Sequence, residues 1–390
     1  MRPRVLFYVQ HLMGVGHLFR AMRIVSALVA AGMDVDLVQG GEPVPGLDPA
    51  GATVHQLAPL RAGSSNFSDL EMPDGEVADD EYRQSRRRHL LDIFERTQPD
   101  VIITEAFPFG RRQMRFEILP LLDAARARRR RPKVVASIRD ILQENRRPGR
   151  DAETAEYIER YYDHVLVHSD PALVRLEATY PFAGRIADRT LYTGFVTPEA
   201  ASTGTDVAEF DVVVSVGGGV MGRDLLFAAA AAQRLSSLRD ARWCIITGIN
   251  TPERDVAQVR ALASLSATVE RFLPDLRAVI AKARISISRA GYNTIADIFR
   301  AQCRAIVAPL SDGEETEQLR RTELLSAAGL IDALDPEDET PEGIAAAIES
   351  ALARPVPDRS GVRLDGADFS AKAIMAMLDG TLADTGGRRG

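Results

Sequence analysis

The sequence is poor in cysteine and in long apolar runs, and each scarcity excludes a class of protein. It has two cysteines in 390 residues, Cys244 and Cys303, and both fall in apolar segments. They exclude a disulfide scaffold and a cysteine-based metal site, and they suit a reducing cytoplasm. No window reaches the roughly 18 apolar residues that a membrane-spanning helix needs. The apolar segment at 4–10 is too short for a signal peptide, so we interpret it as a buried strand.

Lysine is also scarce, so almost every cationic side chain is an arginine. The first 198 residues are neutral overall, whereas the remainder carries the net charge of −7. The arginines of the first half cluster at 86–88, 111–115 and 128–131. One interpretation is a set of solvated helix ends, and the other is a surface for an anionic acceptor or for peripheral contact with the inner membrane face. Nucleic acid is not expected as a partner, because the chain is acidic and the clusters lack interleaved aromatic residues.

Short apolar runs alternate with amphipathic stretches along the whole chain, which is typical of βαβ units in an α/β fold. The pattern stops at 197–205, a segment of small and polar residues, and then restarts. We therefore predict a first Rossmann-like domain at 1–198 and a second at 199–366. For 367–390 we predict a terminal helix and a flexible tail, with the helix packing back on the first domain.

The first predicted strand leads directly into a glycine turn with Gly14, Gly16 and His17. Glycines at this place let a ligand approach the backbone, and the following helix offers free N–H groups. The turn lacks the third glycine of a dinucleotide site, and the second strand ends without an acidic residue for a ribose. A nicotinamide-dependent enzyme is therefore not expected, and no cofactor is predicted. His17 is either a group that contacts a ligand or a helix-start residue with a local hydrogen bond.

An acidic residue, Glu105, ends the predicted strand at 101–105. Because ligands bind beyond the carboxyl ends of parallel strands, Glu105 is a candidate partner for His17. The alternative is that Glu105 caps a helix or forms an ion pair with Arg111 or Arg112. Asp140, after the predicted strand at 134–138, is the second choice for the acidic partner.

The second half opens with a strand at 212–216 that leads into Gly217, Gly218 and Gly219. Glycines in this turn would allow close approach of a diphosphate or of the other domain. The alternative is a turn that only packs the strand on its helix.

A later strand ends at Ser288 and leads into a turn at Gly291. Asn293 or Thr294 is predicted to cap the next helix, whose free amides can hold phosphate oxygens. Asp297 then lies about one turn inside that helix, where its carboxylate can accept hydrogen bonds from two ribose hydroxyls. The chain has no Asp-x-Asp at a strand end and no cluster of His and Cys ligands, so no metal site is predicted.

The segment 272–310 resembles the nucleotide-sugar signature of GT-B glycosyltransferases. A Glu-Gln-Leu-x-Arg pattern follows it at 317–321. The chain resembles the family of the peptidoglycan lipid-intermediate N-acetylglucosaminyltransferases and related predicted glycosyltransferases. The resemblance covers most of the chain and is weak over 41–100. It implies the GT-B architecture, in which two Rossmann-like parallel-sheet domains face each other across a cleft.

The resemblance also assigns roles to individual residues. Asp297 would grip the ribose, the backbone of Leu273 would touch the nucleobase, and Glu317 and Gln318 would contact the donor sugar. His17 would be the catalytic base, oriented by Glu105. The whole predicted donor set is Gly218, Gly219, Leu273, Ser288, Arg289, Gly291, Tyr292, Asn293, Thr294, Asp297, Glu317 and Gln318. The predicted acceptor-side set is Gly14, Gly16, Arg111 and Asp140.

The resemblance implies transfer of a sugar from a nucleoside-diphosphate sugar, a UDP-linked hexose or N-acetylhexosamine, to an acceptor hydroxyl. The reaction would be a metal-independent direct displacement at the anomeric carbon. Two other functions stay open. The stretch 14–20 also resembles the Gly-x-Gly-His-x-x-Arg start of nucleotide-sugar hydrolases, so a hydrolase or an epimerase is one alternative, and it would turn over the donor without an acceptor. The other is a non-catalytic nucleotide-sugar-binding subunit, which would bind nucleotide without turnover.

Overall fold

The computed structural model describes residues 2–12, 14–63, 69–145, 147–198, 208–217, 222–273, 275–310 and 315–382, and it divides into two compact units. The first unit comprises Met1–Val196 together with Asp365–Gly390, and the second comprises Thr197–Leu364. Most of the predicted linker at 197–205 lies outside the described residues.

Strands and helices alternate in both units. The strands are β1 (Arg4–Val9), β2 (Asp34–Gln39), β3 (Thr53–Gln56), β4 (Arg61–Ala62), β5 (Leu70–Glu71), β6 (Val101–Glu105), β7 (Lys133–Arg139), β8 (His164–His168), β9 (Thr190–Tyr192), β10 (Val212–Ser215), β11 (Trp243–Ile246), β12 (Thr268–Glu270), β13 (Ile285–Arg289), β14 (Arg304–Ala308) and β15 (Asp332–Ala333). The α-helices are α1 (Gly16–Ala30), α2 (Asp80–Thr97), α3 (Arg115–Ala127), α4 (Arg150–Tyr161), α5 (Arg223–Ala232), α6 (Glu253–Leu262), α7 (Leu276–Lys282), α8 (Tyr292–Ala301), α9 (Glu317–Ala327), α10 (Pro341–Leu352) and α11 (Gly366–Asp379).

The first unit is built on a seven-stranded parallel sheet with the strand order β3-β2-β1-β6-β7-β8-β9. The chain adds strands outward from β1 in one direction and then, starting with β6, in the other. The carboxyl ends of β1 and β6 therefore meet at a topological switch point, the place where open α/β sheets bind ligands.

Both faces of this sheet are covered, because the side chains of β1 alternate between two apolar cores. Leu6 and Tyr8 pack with residues of α2, α3 and α4. Val5, Phe7 and Val9 pack with residues of α1 and α11 on the opposite face. A parallel strand that is buried on both faces reads as a continuous apolar run, which explains the segment seen in the sequence.

The C-terminal helix α11 belongs to the first unit, where it packs against α1. A bridge between Val196 and Asp365 brings the chain back, and the amide of Gly366 donates to the carbonyl oxygen of Phe195. Ile374 and Met377 of the helix complete the apolar core on that face.

One arginine of the first cluster is not solvated, contrary to the helix-end interpretation. Arg86 is buried, and its Nη2 lies 2.7 Å from Oε1 of the buried Glu117. Tyr8 also donates to Glu117, and Arg86 donates to the carbonyl oxygen of Gly40. A buried ion pair needs such additional hydrogen bonds to offset its desolvation.

The second unit repeats the architecture with a six-stranded parallel sheet in the order β12-β11-β10-β13-β14-β15. Its switch point lies between β10 and β13. The buried Arg359 holds the segment after α10 in place by donating to the carbonyl oxygens of Leu330 and Cys303. The two-parallel-sheet α/β class predicted from the sequence is confirmed.

Three short strands escaped the sequence prediction. β4 and β5 pair as an antiparallel hairpin within the segment 41–100, and β15 adds an edge to the second sheet. Each is two residues long, so none shows an alternating pattern. Among the helices that the structure describes, none is long and apolar enough to cross a membrane.

We predict that Gly366→Ala loosens the docking of α11. A Cβ at this position would lie 2.4 Å from the carbonyl oxygen of Gly194 and 2.8 Å from that of Phe195. Both obstacles are backbone, so the helix must shift, and overpacking of this kind costs about 1–3 kcal/mol. Urea unfolding followed by circular dichroism measures the loss, since the single tryptophan, Trp243, lies in the other unit. Gly361→Ala is the control, because a Cβ there meets nothing within 4 Å. Equal denaturation midpoints for both variants would contradict the prediction.

Candidate active site

His17 and Glu105 meet at the switch point of the first unit. α1 begins at Gly16, so His17 lies in its first turn, and Glu105 is the last residue of β6. The Nδ1 atom of His17 lies 3.0 Å from Oε1 of Glu105. The structure thus brings together the two residues that the sequence predicted as partners.

A third residue, Arg20, completes this group. Its guanidinium forms an ion pair with Oε1 of Glu105 and lies 3.1 Å from Nδ1 of His17. The alternative pairing of Glu105 with Arg111 or Arg112 is wrong: Arg111 donates from Nε to the carbonyl oxygen of Gln10, and Arg112 pairs with Glu153. Arg20 was not predicted from the sequence as the counter-charge. It follows His17 by one helical turn, so the two side chains lie on one face of α1.

The electrostatics of the group set its protonation. Burial alone would raise the pKa of Glu105, but Arg20 and the hydrogen bond from His17 outweigh burial and lower this pKa to about 2. Burial, together with the charge of Arg111, lowers the pKa of His17 to about 3, although the hydrogen bond to Glu105 acts in the opposite direction. At neutral pH a neutral imidazole therefore lies beside an ionised carboxylate.

The tautomer of His17 follows from its neighbour. Nδ1 faces both an acceptor, Oε1 of Glu105, at 3.0 Å and a donor, Nη2 of Arg20, at 3.1 Å. Arg20 already donates to that carboxylate oxygen, and an ionised carboxylate only accepts, so we assign the ring proton to Nδ1, which donates to Glu105. The lone pair is then on Nε2, which has no hydrogen-bond partner among the described residues. With 14% of the His17 side chain exposed, Nε2 is placed to accept a proton from a bound hydroxyl group.

The loop after β6 has a strained backbone. Ala106 and Arg111 both adopt the left-handed conformation, with φ of 69° and 57°. This conformation is unfavourable for residues other than glycine, and such strain concentrates at functional sites.

Burial and the charge of Arg139 lower the pKa of Arg111 to about 10.

Positive charge exceeds negative charge around His17. Arg20, Arg111 and Arg139 each lower the pKa of its imidazole, whereas Glu105 raises it. A positive charge on the ring is therefore unfavourable until an anionic group enters. This arrangement suits a substrate that brings negative charge.

The remaining residues predicted on the acceptor side lie around the same strand ends. Asp140 is fully buried directly after β7 and accepts a hydrogen bond from the amide of Ile141. Gly16 begins α1. A Cβ on Gly14 would meet nothing within 4 Å, so the described packing does not require a glycine there.

The switch point of the second unit lies at the ends of β10 and β13. Gly217 follows β10 with a φ of 74°, and a Cβ on Gly248 would lie 2.6 Å from its carbonyl oxygen. The backbones after β10 and β11 thus approach closely at two positions that require glycine. Gly218 and Gly219 of the predicted donor set lie outside the described residues.

The turn between β13 and α8 differs from the prediction at its cap. Gly291, in an extended conformation, is the residue that precedes the helix, and no side chain caps it. Asn293 and Thr294 lie inside the first turn, because the helix already begins at Tyr292. A Cβ on Gly291 would meet only Oγ1 of Thr294, at the ordinary distance of 3.7 Å. Neither conformation nor packing among the described residues therefore explains this glycine.

Gln318 joins two loops at the same end of the second sheet. Its Oε1 accepts from the amides of Ala290 and Leu310, at 3.0 and 3.3 Å, and its side-chain nitrogen has no partner among the described residues. The carboxylate of Glu315, which the sequence argument missed, accepts from the amides of Glu317 and Gln318 at the start of α9. The loops after β13 and β14 and the start of α9 are thereby tied together.

Two residues that were predicted to contact the donor form ion pairs within the protein. The guanidinium of Arg289 forms two bonds to Glu339, at 2.5 and 2.6 Å. Glu317 pairs with the fully buried Arg321, which also donates to the carbonyl oxygen of Ala290.

The other predicted donor residues lie on different elements: Ser288 is in β13, Leu273 follows β12, and Tyr292 and Asp297 are in α8. The hydroxyl of Ser288 is buried and has no hydrogen-bond partner within the described part of the chain. Leu273 and Asp297 are partly buried, whereas the side chain of Tyr292 is buried. No group of three or more His, Cys, Asp and Glu residues that could hold a metal ion occurs in the described ranges.

We predict that the native protein loses stability as the pH falls from 6.5 towards 3. In this range the unfolded chain protonates His17 and then Glu105, whereas the folded protein holds both pKa values down, at about 3 and about 2. Because the unfolded state binds more protons, each histidine of this kind adds a slope of up to about 1.4 kcal/mol per pH unit. Urea unfolding at several pH values should give a shallower slope for His17→Gln. His89→Gln, on an exposed site of α2, is the control, and equal slopes for the two variants would contradict the prediction.

Comparison with known proteins supports the resemblance found in the sequence. Residues 212–357 match the model of the glycosyltransferase family 28 C-terminal domain. The UDP-N-acetylglucosamine–N-acetylmuramyl-(pentapeptide) pyrophosphoryl-undecaprenol N-acetylglucosamine transferase of Rhodopseudomonas palustris is 29% identical over 133 residues, which cover 32% of this chain and 36% of that protein. The protein of the same name from Methylobacterium radiotolerans is 30% identical over 127 residues, or 32% and 34% of the two chains. The chain thus spans about a third of the length of the curated relatives it matches.

Solved structures extend the likeness to both units. The calicheamicin glycosyltransferase CalG4 aligns over 100% of both chains with a TM-score of 0.62 and 16% identity. The MurG protein of Acinetobacter baumannii aligns over 96% of this chain and 100% of its own, with a TM-score of 0.62 and 15% identity. At such identities the likeness is one of fold. The chain therefore has the GT-B fold, and its second unit matches the C-terminal domain of glycosyltransferase family 28.

Proposed function

We propose that this protein is a glycosyltransferase that moves a sugar from a nucleoside-diphosphate sugar to an acceptor hydroxyl. The observation that carries the proposal is the pair formed by the neutral His17 and the ionised Glu105 at a sheet switch point, 3.0 Å apart. The match of the second unit to a glycosyltransferase domain adds the donor half of the reaction.

His17 acts as the general base. The acceptor hydroxyl donates to Nε2, its oxygen bonds to the anomeric carbon, and the bond from that carbon to the diphosphate oxygen breaks. The proton passes to His17, and the nucleoside diphosphate leaves with the bonding electrons. Glu105 stabilises the imidazolium as it forms, as a carboxylate does for a catalytic histidine.

The donor binds at the carboxyl ends of β10 and β13. Gly291 precedes α8 without a packing reason for a glycine, so close approach of a phosphate to the backbone explains it. The helix start supplies amides for the leaving diphosphate, so the reaction needs no metal ion. Asp297 accepts from the ribose, and the side-chain nitrogen of Gln318 donates to a hydroxyl of the sugar.

The acceptor brings negative charge. Arg20, Arg111 and Arg139 surround His17 and disfavour its protonation, so an anionic group bound beside them would raise the basicity of His17 when the substrate is present. The curated relatives are named for a pyrophosphoryl-undecaprenol acceptor and a UDP-N-acetylglucosamine donor. For this protein we propose the same classes of substrate. The acceptor would be a lipid-linked anionic molecule at the inner membrane face, and the donor would be a UDP-linked hexose or N-acetylhexosamine.

A nucleotide-sugar hydrolase is the second candidate. Its motif includes the arginine at position 20, and Arg20 contacts both His17 and Glu105. In that reaction water replaces the acceptor hydroxyl. Consumption of UDP-N-acetylglucosamine at its full rate without an acceptor favours the hydrolase, whereas dependence on added membrane lipid extract favours the transferase.

We predict that Asp297→Ala weakens nucleoside-diphosphate binding by about 1.5–3 kcal/mol, the range for lost hydrogen bonds to a charged group. Calorimetric titration with UDP, GDP and dTDP measures the affinity and identifies the preferred nucleobase. Asp240→Ala is the matched control, since it removes the same charge from a side chain that is 92% exposed. Unchanged affinity in a folded Asp297→Ala variant would remove the ribose role.

We predict that His17→Ala lowers kcat about a hundred- to ten-thousandfold, the usual effect of removing a general base. Affinity for the nucleoside diphosphate should change less than about threefold, below the energy of one ordinary hydrogen bond. Release of UDP from UDP-N-acetylglucosamine with membrane lipid extract gives kcat, and calorimetry gives the affinity. Equal losses in both would place His17 in donor binding, and no loss in either would return it to a helix-start residue.

A further inference from the structure

A buried hydrogen-bonded chain continues from Glu105 across the carboxyl ends of β7, β8 and β9. Ser137 Oγ lies 2.6 Å from Oε2 of Glu105 and 2.9 Å from Nε2 of His168, and His168 Nδ1 lies 2.8 Å from Oγ1 of Thr193. Ser137, His168 and Thr193 are all fully buried. We call these three residues the relay.

The hydrogens of the relay have one consistent order. Glu105 is ionised and only accepts, so Ser137 donates its single hydroxyl hydrogen to Oε2. The oxygen of Ser137 must then accept from Nε2–H of His168, because two lone pairs would otherwise face each other. His168 is neutral, since burial lowers its pKa to about 3, and its Nδ1 therefore accepts from the hydroxyl of Thr193.

Two further acceptors for Thr193 do not change this order. Its hydroxyl also lies 2.9 Å from the carbonyl oxygen of Gly194 and 3.5 Å from that of Val167. If Thr193 donated to either, Nδ1 of His168 would carry the hydrogen and its bare Nε2 would face a serine whose hydrogen is committed to Glu105. Two lone pairs that face each other across 2.9 Å between Ser137 and His168 repel, so donation from Thr193 to His168 is favoured.

The two carboxylate oxygens of Glu105 accept hydrogen bonds from different groups. Oε2 receives Ser137, whereas Oε1 receives His17 and Arg20. A carboxylate anchored at Oε2 cannot rotate about its terminal bond, so Oε1 stays beside Nδ1 of His17. This keeps the lone pair of His17 on Nε2, the nitrogen without a protein partner.

We propose that Ser137, His168 and Thr193 are positioning residues that hold Glu105 in the orientation that keeps His17 in its Nδ1–H tautomer. The inference rests on the proposed function, since it gives the relay a role in presenting the catalytic base. None of the three residues touches the reacting atoms, so their effect reaches the reaction only through Glu105 and His17.

The first test is kinetic. Ser137→Ala should lower kcat about ten- to a hundredfold, the usual effect of losing a partner that orients a catalytic ligand, with KM changed less than about threefold. Thr193→Val keeps the shape and removes the hydroxyl, so it should lower kcat in the same way, whereas Thr193→Ser keeps the hydroxyl and should retain wild-type kcat. Ser286→Ala is the matched control, because Ser286 is fully buried on a strand and its hydroxyl has no partner among the residues that the structure describes.

The second test asks whether Ser137 acts through His17. Combined with His17→Ala, the Ser137→Ala change should lower UDP release from UDP-N-acetylglucosamine no further, because the group it positions is absent. An equal loss in the wild-type and His17→Ala backgrounds would overturn the positioning role and leave a structural one. Thermal unfolding midpoints identify any variant that fails to fold, and Thr193→Val then replaces Ser137→Ala in the cycle.

The third test needs no turnover. Nitrogen-15 chemical shifts of the imidazole rings distinguish the two tautomers, so they should show Nδ1–H for His17 and Nε2–H for His168 in the wild-type protein. Ser137→Ala should shift part of His17 to the other tautomer, and Ser286→Ala should not. If Ser137→Ala shifts the tautomer but the wild-type protein transfers no sugar, the positioning role of the relay is supported and the proposed function is wrong. If the protein transfers sugar while Ser137→Ala keeps both the wild-type kcat and the wild-type tautomer, the positioning role is wrong and the proposed function is supported.

Discussion

A buried carboxylate at a sheet switch point must have its charge balanced within the protein, and the site of the first unit is built around this requirement. Glu105 is 1% exposed, so an unpaired charge there would be prohibitively unfavourable. Arg20 supplies the balancing charge, and His17 and Ser137 donate to the carboxylate oxygens. Because Arg20 and His17 lie one turn apart on α1, one helix supplies both the imidazole and the charge that balances its carboxylate partner.

Burial lowers the pKa of His17, and the same constraint lowers it further. The arginines that stabilise the anion of Glu105 also oppose a proton on the neighbouring imidazole. Proton acceptance is therefore most favourable when a bound group adds negative charge. In the proposed reaction, the electrostatics that hold the site together would therefore favour an anionic substrate.

Both units place their candidate residues at a switch point, but they do so by different means. In the first unit the groups are side chains with fixed protonation, Glu105 and His17. In the second unit much of the site is backbone, at Gly217, Gly248 and Gly291, with Gln318 tying the loops together. A base needs a tuned side chain, whereas a phosphate is well held by amides that no side chain shields.

The sequence alone predicted the α/β class, the strand-to-helix turns and the pairing of His17 with Glu105. It could do so because buried parallel strands read as apolar runs and because their carboxyl ends converge on one edge. The resemblance over 272–310 added the GT-B fold, which a single pattern of strands does not specify. The sequence did not predict that Arg86 is buried, that Arg289 is tied to Glu339, or that α8 starts at Tyr292.

Contacts between residues that are far apart in the chain were decided only by the tertiary structure. Ser137, His168 and Thr193 stand at the ends of three different strands, and nothing in their local patterns marks them as a hydrogen-bonded series. Likewise, the partner of Glu105 could be Arg20, Arg111 or Arg112 by proximity in sequence or loop, and packing selected Arg20. Periodicity fixes which face a side chain occupies, but the partner it meets there depends on strand order and register, which are set by the packing of the whole sheet.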